Sequence, residues 1–232
     1  MFPIADDNPV SRPAVITWTI LALCVLVFAL QMALPRATEH ALVLAFGLIP
    51  AVVTGEAILS ADLRAIPPQA SLVTSAFLHG GPLHIASNLL YLWVFGNNVE
   101  DTLGRGRFIV FYIVAAVLAG LCQVALDPGS VVPVIGASGA ISAVLGAYLA
   151  FFPHAKVHLF IPVGVFVHPV PAAWVLLIWF LYQLASALLI GSGNSNVAWG
   201  AHLGGFIAGF GLAIVMRPRR VELFGHRPGP WG

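Results

Sequence analysis

The amino-acid sequence predicts an all-α membrane protein, a polytopic bundle of six transmembrane helices, and three observations support this fold class. Of the 232 residues, 59% are hydrophobic and only 8% are charged, whereas a soluble domain carries about 25% charged residues. Between Asp127 and Arg217 the only formally charged side chain is Lys156. Apolar runs of about 20 residues, the length that a helix needs to cross a bilayer, recur along the chain. The net charge of +1 gives no basic surface for binding nucleic acid.

Six apolar runs, separated by Gly, Pro and polar clusters, are the predicted spans. The first is too long for the core of a signal peptide, so we interpret it as a membrane span. We expect residues 1–13 to form a short N-terminal tail, residues 14–216 a single membrane domain, and residues 217–232 a basic C-terminal tail. Residues 35–82 form a long outer loop between the first two spans, interfacial or partly re-entrant. The spans are 14–34, 83–101, 107–126, 136–153, 170–190 and 198–216.

The basic residues predict the orientation. With the N-terminus inside, only Arg36 and Arg64 of the ten lysines and arginines lie outside. Lysine and arginine are enriched in cytoplasmic segments, so we expect a multi-pass cell-membrane protein with both termini in the cytoplasm. The inner residues are Arg12, Arg105, Arg107, Lys156, Arg217, Arg219, Arg220 and Arg227.

Four polar side chains stand out within the predicted spans. They are Ser138, His84, Asn88 and His202, and polar groups at such positions are candidates for function. In the predicted topology the second, fourth and sixth spans run in the same direction, and each of these residues lies near the start of its span. We therefore expect all four at a similar shallow depth below the outer surface. His84 and Asn88 are four residues apart and share one helix face.

Small residues at four-residue spacing indicate where the helices approach each other. Ser138, Ser142 and Gly146 follow this spacing in the fourth span, and Ala201, Gly205 and Gly209 follow it in the sixth. Small residues at this spacing let helix backbones pack closely in lipid. Close packing of the two spans would bring His202 to Ser138.

A serine beside a histidine predicts nucleophilic catalysis, because the imidazole can take the hydroxyl proton. No carboxylate lies in the outer half of a span near Ser138, so we expect a Ser138–His202 dyad rather than a triad. A tetrahedral intermediate also needs donors for its oxyanion. His84 and Asn88 can supply side-chain donors, and the backbone N–H groups around Ser138, including that of Gly139, can supply more.

Three motifs in order along the chain resemble those of the rhomboid intramembrane proteases. The resemblance implies a six-span helical bundle that cleaves transmembrane substrates in or near their membrane segments, without metal or nucleotide. It also implies Ser138 as nucleophile, His202 as base, and His84 with Asn88 as oxyanion stabilisers. Two positions depart from the family: Ala70-Ser71 stands where members often carry Trp-Arg, and Ser142 where an aromatic is common. The motifs are Gly136-Ala137-Ser138-Gly139, His84-Ile85-Ala86-Ser87-Asn88 and Ala201-His202-Leu203-Gly204-Gly205.

Other interpretations stay open from the sequence. Ser138 could be a packing residue or a helix cap, and His202 and Asn88 could join helices by hydrogen bonds. A metal site at His79, His84 and His202 has no His-Glu-x-x-His pattern and no nearby carboxylate to support it. A small transporter would line a path across the whole membrane, whereas these polar residues cluster at one depth. A non-catalytic rhomboid-like binder of membrane helices is the closest alternative. The oligomeric state is left open.

Overall fold

The computed structural model describes residues 2–161, 166–190 and 197–225, and in these residues it contains nine α-helices and one three-stranded sheet. Most of the described chain is helical, which confirms the predicted fold class. The strands are β1 (Phe2–Asp6), β2 (Lys156–Ile161) and β3 (Phe166–Pro171). The helices are α1 (Val15–Ala33), α2 (Arg36–Phe46), α3 (Pro50–Thr54), α4 (Ser71–Thr74), α5 (Pro82–Leu103), α6 (Arg105–Leu126), α7 (Ser138–Phe151), α8 (Ala172–Ile190) and α9 (Trp199–Met216).

Six of these helices coincide with the six predicted spans: α1 and α5 to α9. Within the described residues, α1, α6, α8 and α9 are long and apolar enough to cross a membrane. The helix α7 is apolar but only 14 residues long, and α5 has 22 residues but carries several polar side chains. The chain is therefore a membrane protein, with two spans that differ from the simple apolar type.

The short helix α7 lies at the centre of the bundle. Its residues Ala143, Val144, Leu145, Ala147 and Tyr148 are completely buried. A helix that is apolar on all sides is stable only when other helices surround it. Here α5, α6 and α9 pack around α7, and the apolar side chains of α1 and α8 make up much of the exposed outer surface.

The closest helix pair is α7 with α9. A Cβ atom added at Gly146 would overlap the carbonyl oxygen of Phe206, and one at Gly205 would overlap that of Gly139. At Gly209 the added atom would overlap the Ala143 carbonyl. These three glycines therefore let the two backbones touch along their length.

The segment between α1 and α5 is a compact loop of short helices rather than an extended chain. Leu48 forms a backbone bridge with Val134, and Leu72 packs against Gly120 of α6. The Gly136 N–H donates to the carbonyl oxygen of Ser75 at 2.9 Å. This loop thus holds the segment that leads into α7.

The sheet at the opposite end of the bundle from Ser138 was absent from the sequence prediction. Strand β1 pairs antiparallel with β2, with Phe2 opposite Phe160, and β2 pairs antiparallel with β3. The Tyr148 hydroxyl donates to Asp6 Oδ2 at 2.5 Å. Residues 1–13, predicted as a simple tail, therefore attach to the sheet and to the central helix.

Buried Glu100 near the end of α5 fixes the start of α1. Its Oε2 atom accepts hydrogen bonds from the Thr17 N–H at 2.7 Å and the Thr17 hydroxyl at 2.8 Å, and its Oε1 accepts from the Ile16 N–H at 3.0 Å. A carboxylate at this position satisfies the free donors of a helix N-terminus and interacts favourably with its dipole. Arg227, which the predicted orientation counts as an inner residue, lies outside the described part of the chain.

Candidate active site

Ser138 and His202 are in direct contact. Ser138 is the first residue of α7, and His202 lies in the first turn of α9. His202 Nε2 is 2.8 Å from Ser138 Oγ, and both side chains are partly buried. The glycine contacts between α7 and α9 hold the two residues at this distance, since Gly205 lies one turn beyond His202 against the Gly139 carbonyl.

The other ring nitrogen of His202 meets a residue that sequence reasoning missed. His202 Nδ1 is 2.8 Å from Oε1 of Gln183 on α8, and Gln183 is buried. The rings of Trp179 and Trp199 lie 6.2 Å and 6.1 Å from the His202 ring, centroid to centroid. A glutamine inside an apolar span is a polar group in lipid, the same signal that singled out Ser138 and His202, so Gln183 could have been found.

His84 lies near the start of α5 with its ring against Gly136. Its Nδ1 accepts a hydrogen bond from the Gly80 N–H at 3.2 Å, so the proton of the neutral ring is on Nε2. A Cβ atom at Gly136 would lie 2.7 Å from His84 Nε2 and 3.7 Å from Ser138 Oγ. The space that a side chain at Gly136 would fill therefore separates a ring N–H donor from the serine hydroxyl.

Asn88 is buried one turn beyond His84. Its Nδ2 donates to the backbone carbonyl of His84 at 3.0 Å. The amide group has two hydrogens, so this bond uses one of them and fixes the side chain.

The start of α7 supplies backbone donors. The first backbone bond of the helix runs from the Ile141 N–H to the Ala137 carbonyl at 2.9 Å, and no side chain caps this end. The N–H groups of Ser138, Gly139 and Ala140 precede that bond, so they are the free donors of the first turn. A cavity of about 30 Å³ lies beside them, lined in part by Gly136, Ser138 and Gly139, and this is enough space for a water molecule.

His79 belongs to the turn before α5 and lies beside His84, with ring centroids 5.3 Å apart. Gln31 of α1 clamps its backbone: Gln31 Oε1 accepts from the His79 N–H at 3.0 Å, and Gln31 Nε2 donates to the His79 carbonyl at 3.2 Å. Burial, together with the nearby His84, lowers the pKa of His79 to about 4. His79 is therefore neutral near pH 7 and supports the turn that places Gly80.

In the part of the chain that the structure describes, no group of three or more His, Cys, Asp or Glu side chains is arranged to hold a metal ion. The two cysteines of the sequence, Cys24 and Cys122, are not joined to each other.

Comparison with known proteins identifies a family whose domain covers most of the bundle. The family model of the rhomboid domain matches residues 68–219. The chain belongs to the rhomboid family. The matched region runs from the loop before α4 to the end of α9, and it includes Ser138, His202, His84 and Asn88.

Several curated rhomboid proteins are similar to this chain. The mitochondrial Rhomboid protein 1 of Saccharomyces cerevisiae is 35% identical over 144 residues, which are 60% of this chain and 39% of that protein. Rhomboid protease GluP of Bacillus subtilis is 30% identical over 67% of this chain and 28% of its own length. Rhomboid protease GlpG of Salmonella paratyphi A is 28% identical over 61% of this chain and 46% of its own length. The chain thus matches less than half the length of each of these relatives.

The structure shows the contacts made at the two positions, Ser142 and Ala70-Ser71, where the sequence analysis found departures from the rhomboid motifs. Ser142, where an aromatic is common, donates its hydroxyl hydrogen to the Ser138 carbonyl at 2.6 Å. The aromatic contacts of His202 come instead from Trp179 on α8 and Trp199 on α9. At the Ala70-Ser71 position, the Ser71 hydroxyl donates to the Pro68 carbonyl at 2.5 Å, so this part of the loop is held by local bonds.

Proposed function

We propose that this rhomboid is an intramembrane serine endopeptidase that cleaves transmembrane segments of membrane-protein substrates. The observation that carries the proposal is the 2.8 Å contact between Ser138 Oγ and His202 Nε2. A histidine at this distance can take the hydroxyl proton as the oxygen attacks a carbonyl carbon. The comparisons support the assignment, because relatives of this chain carry the name rhomboid protease.

The length of α7 supports a site below the membrane surface. At 1.5 Å per residue, its 14 residues span about 21 Å, which is less than the roughly 30 Å core of a bilayer. With Phe151 at one edge of that core, Ser138 lies about 9 Å inside the other edge. A peptide bond near the end of a substrate helix could reach Ser138 at this depth, and water could enter from the nearer surface.

The reaction that we propose has two steps. The Ser138 oxygen attacks the substrate carbonyl, His202 takes its proton and then gives it to the departing amine, and an acyl-enzyme forms. Water, deprotonated by His202, then attacks the ester and releases Ser138. The cavity beside Ser138 is large enough to hold that water.

The oxyanion of the tetrahedral intermediate would lie in the space above Gly136. His84 Nε2 faces this space, and the N–H groups of Ser138 and Gly139 begin α7 beside it. Asn88, one turn from His84, would supply its remaining amide hydrogen. Donors fixed before the reaction stabilise the developing charge without reorganisation.

The basic residues support cytoplasmic termini in the cell membrane, with Ser138 nearer the outer face. Single-cysteine variants in the loop at residues 55–60 and near residue 222, in a background without Cys24 and Cys122, would test this. Labelling of the loop alone by a membrane-impermeant maleimide in intact cells would support the orientation, and labelling of residue 222 alone would reverse it.

The deciding test of the enzyme is covalent labelling by a fluorophosphonate, followed by cleavage of a model transmembrane substrate. Wild type, Ser138→Ala and His202→Ala would be compared in detergent and in lipid vesicles. Ser142→Ala is the matched control, because Ser142 lies one turn away on the same helix and its hydroxyl donates to the Ser138 backbone carbonyl. Labelling and cleavage that need Ser138 and His202, but not Ser142, are expected. Folded wild-type protein that neither labels nor cleaves would favour a non-catalytic binder of membrane helices.

A further inference from the structure

We infer that Gln183 is a positioning residue for the proposed dyad. Ser138, His202 and Gln183 are joined in sequence by two hydrogen bonds. The inference rests on the proposed protease function. It starts from the hydrogen bond of 2.8 Å between Gln183 Oε1 and His202 Nδ1. Gln183 lies on α8, so a third helix acts on the pair formed by α7 and α9.

The bond fixes the tautomer of His202. With Oε1 as the acceptor, the ring proton is on Nδ1, and Nε2 presents its lone pair to the Ser138 hydroxyl. A base with the opposite tautomer cannot accept the serine proton, and in the Ser-His-Asp triad the loss of the correct tautomer lowers turnover by about 10⁴-fold. Gln183 thus performs the orienting part of the role that an aspartate has in a triad.

A neutral amide suits this location better than a carboxylate. Gln183 is 5% exposed and lies in an apolar helix, where an unpaired buried charge is strongly unfavourable. The amide oxygen also stabilises the imidazolium that forms when His202 takes a proton, although less than a carboxylate would. Among the described residues, the ionisable groups near this part of α9 include His84 on α5, which interacts electrostatically with His202, and Cys122 on α6, which lies against Gly204. Tyr182 on α8 also packs on Trp199, with ring centroids 6.3 Å apart.

The test is the rate of fluorophosphonate labelling against pH in Gln183→Leu, Gln183→Glu and the wild type. Ser186→Ala is the control, since Ser186 is also buried on α8. We expect Gln183→Leu to label at least about tenfold more slowly, with its pH midpoint moved to lower pH because the imidazolium loses its acceptor. Gln183→Glu keeps an oxygen at the same reach, so it should label within a few-fold of wild type.

The outcomes separate this inference from the proposed function. If Gln183→Leu only disturbs α8, labelling will slow without a change in the pH midpoint. Equal slowing in Ser186→Ala would point to the same general disturbance. Each of these two results would overturn the role of Gln183. A Gln183→Leu protein with the wild-type rate and midpoint would also overturn it, while leaving the dyad in place. Absence of labelling in the wild type would instead remove the protease function itself.

A second, independent inference concerns the opposite end of the bundle. We propose that an open cavity there binds the phosphate group of an anionic phospholipid. The cavity has a volume of about 420 Å³, and its lining includes the arginine cluster Arg12, Arg107, Arg219 and Arg220 together with Asp101. We call it the arginine cavity.

The nearby acidic groups are engaged with backbone donors. Asp101 Oδ2 accepts a hydrogen bond from the Ser11 N–H at 3.0 Å, and both oxygens of Glu100 are bonded at the start of α1. Four arginine residues thus line one cavity together with one acidic residue, Asp101. Their mutual repulsion would be relieved by an anion, and phosphate is an oxyanion that arginine binds with two parallel hydrogen bonds.

The arginines are held in place from several segments. Gly104 precedes α6 at the cavity, and this end of the helix has no side-chain cap and no acidic residue in its first turn. The N–H groups of that first turn add to the positive potential. After α9, the Arg217 side chain donates to the Val221 carbonyl, and the Phe224 N–H donates to the Ala150 carbonyl at 2.8 Å. These bonds fold the segment that carries Arg219 and Arg220 back towards the bundle.

The location favours a lipid over a free anion. The cavity lies where α5 ends and α6 begins, at one end of the bundle. About one turn further along α6, Ile109 and Val110 are 40% and 52% exposed. Acyl chains could lie on these side chains while the headgroup occupies the arginine cavity, which matches how basic sites at helix ends bind anionic lipids.

The test measures the thermal unfolding midpoint of the full chain in detergent as short-chain phosphatidic acid is added. The variant is Arg107→Gln with Arg219→Gln, and the control is Arg36→Gln with Arg64→Gln, which removes the same charge far from the cavity. We expect a saturable rise in wild type and control that is at least halved in the variant. An equal rise in the variant would overturn the site, and an equal rise with inorganic phosphate at the same concentration would overturn the lipid assignment.

Discussion

Gly209 of α9 lies directly against the backbone carbonyl of Ala143 in α7, with no room for a Cβ atom between them. This contact, with those of Gly146 and Gly205, sets the separation of the two helices that carry Ser138 and His202. The distance between nucleophile and base therefore depends on residues that take no part in the chemistry.

Substitution of Gly209 by Ala should force α7 and α9 apart. Overpacking of this kind destabilises a protein by about 1–3 kcal/mol, and the movement would lengthen the Ser138–His202 contact. We expect a lower unfolding midpoint and a large loss of fluorophosphonate labelling. Gly211→Ala is the control, because a Cβ there meets no atom within 4 Å. If both variants label alike, close helix contact does not set the geometry of the site.

Substitution of Gly136 by Ala should block the oxyanion space. The added Cβ would lie 2.7 Å from His84 Nε2, in a backbone conformation with φ +121° that favours glycine. Because the donors would no longer reach the oxyanion, we expect substrate turnover to fall by at least about 100-fold. Gly55→Ala introduces similar backbone strain at φ +84° with open space around it, so it should lower stability alone. Unchanged turnover in Gly136→Ala would place the oxyanion elsewhere.

Substitution of Asn88 by Ala should impair turnover but leave it measurable, since loss of one oxyanion donor typically lowers the rate by about 100- to 1000-fold. Ser87→Ala is a close control: the Ser87 hydroxyl donates to the same His84 carbonyl as Asn88, at 2.9 Å. Steady-state cleavage of a model substrate would compare the two. Normal turnover in Asn88→Ala would remove Asn88 from the mechanism.

Asp6 should make stability depend on pH. Burial, opposed in part by the Tyr148 hydrogen bond and reinforced by Asp7, raises the pKa of Asp6 to about 6 from its usual 3.8. A raised pKa means that the folded state binds the proton more tightly than the unfolded chain. Protonation of Asp6 therefore stabilises the folded state. This stabilisation is complete below about pH 3.8 and is lost as the pH rises through about 6.

The measurement is the difference in unfolding midpoint between wild type and Asp6→Asn across this range. We expect wild type to lose stability relative to Asp6→Asn as the pH rises. The lowered pKa of His79 has the opposite effect on the pH dependence of stability. The folded protein loses stability as the pH falls from 6.5 towards about 4, because the unfolded chain binds this proton more readily. This effect is present in both proteins and cancels in the difference. A difference that does not vary with pH would contradict the assignment to Asp6.

Substitution of Glu100 by Gln should destabilise the contact between α1 and α5. The two carboxylate oxygens of Glu100 receive three hydrogen bonds, whereas an amide has only one acceptor oxygen. The buried donors left without an acceptor should lower the free energy of unfolding by about 1–3 kcal/mol. Denaturation in mixed micelles would measure this against Glu222→Gln, an exposed carboxylate near the end of the described chain. Equal stability of the two variants would show that Glu100 is dispensable.

The helices α1, α6, α8 and α9 were predictable because length and hydropathy identify segments that can cross a bilayer. The short α7 and the polar α5 were predicted from apolar runs bounded by Gly, Pro and polar clusters. Ser138, His202, His84 and Asn88 were found as polar residues in apolar runs. Gln183 carries the same signal, but its importance depends on the rotation of α8, which places it on His202 rather than on lipid. The periodicity of one helix does not contain that information.

The sheet could not be predicted for a different reason. Strand β1 is a short segment next to polar residues, and β3 contains two prolines in its six residues, features that weaken any strand signal. Strand β1 pairs with β2 only because the bundle brings residues 2–6 to the connection between α7 and α8. Such pairing depends on the tertiary structure and leaves no local pattern.

The bond between Asp6 and Tyr148 joins residues 142 positions apart in the chain, and this separation affects how the protein is made. During synthesis, residues 2–6 have no partner until α7 and β2 have left the ribosome. The helices α1, α5 and α6 therefore enter the membrane before the sheet exists, since contacts of high sequence separation form late. The sheet then ties the N-terminal residues to the end of α7, while α8 and α9 follow later in the chain.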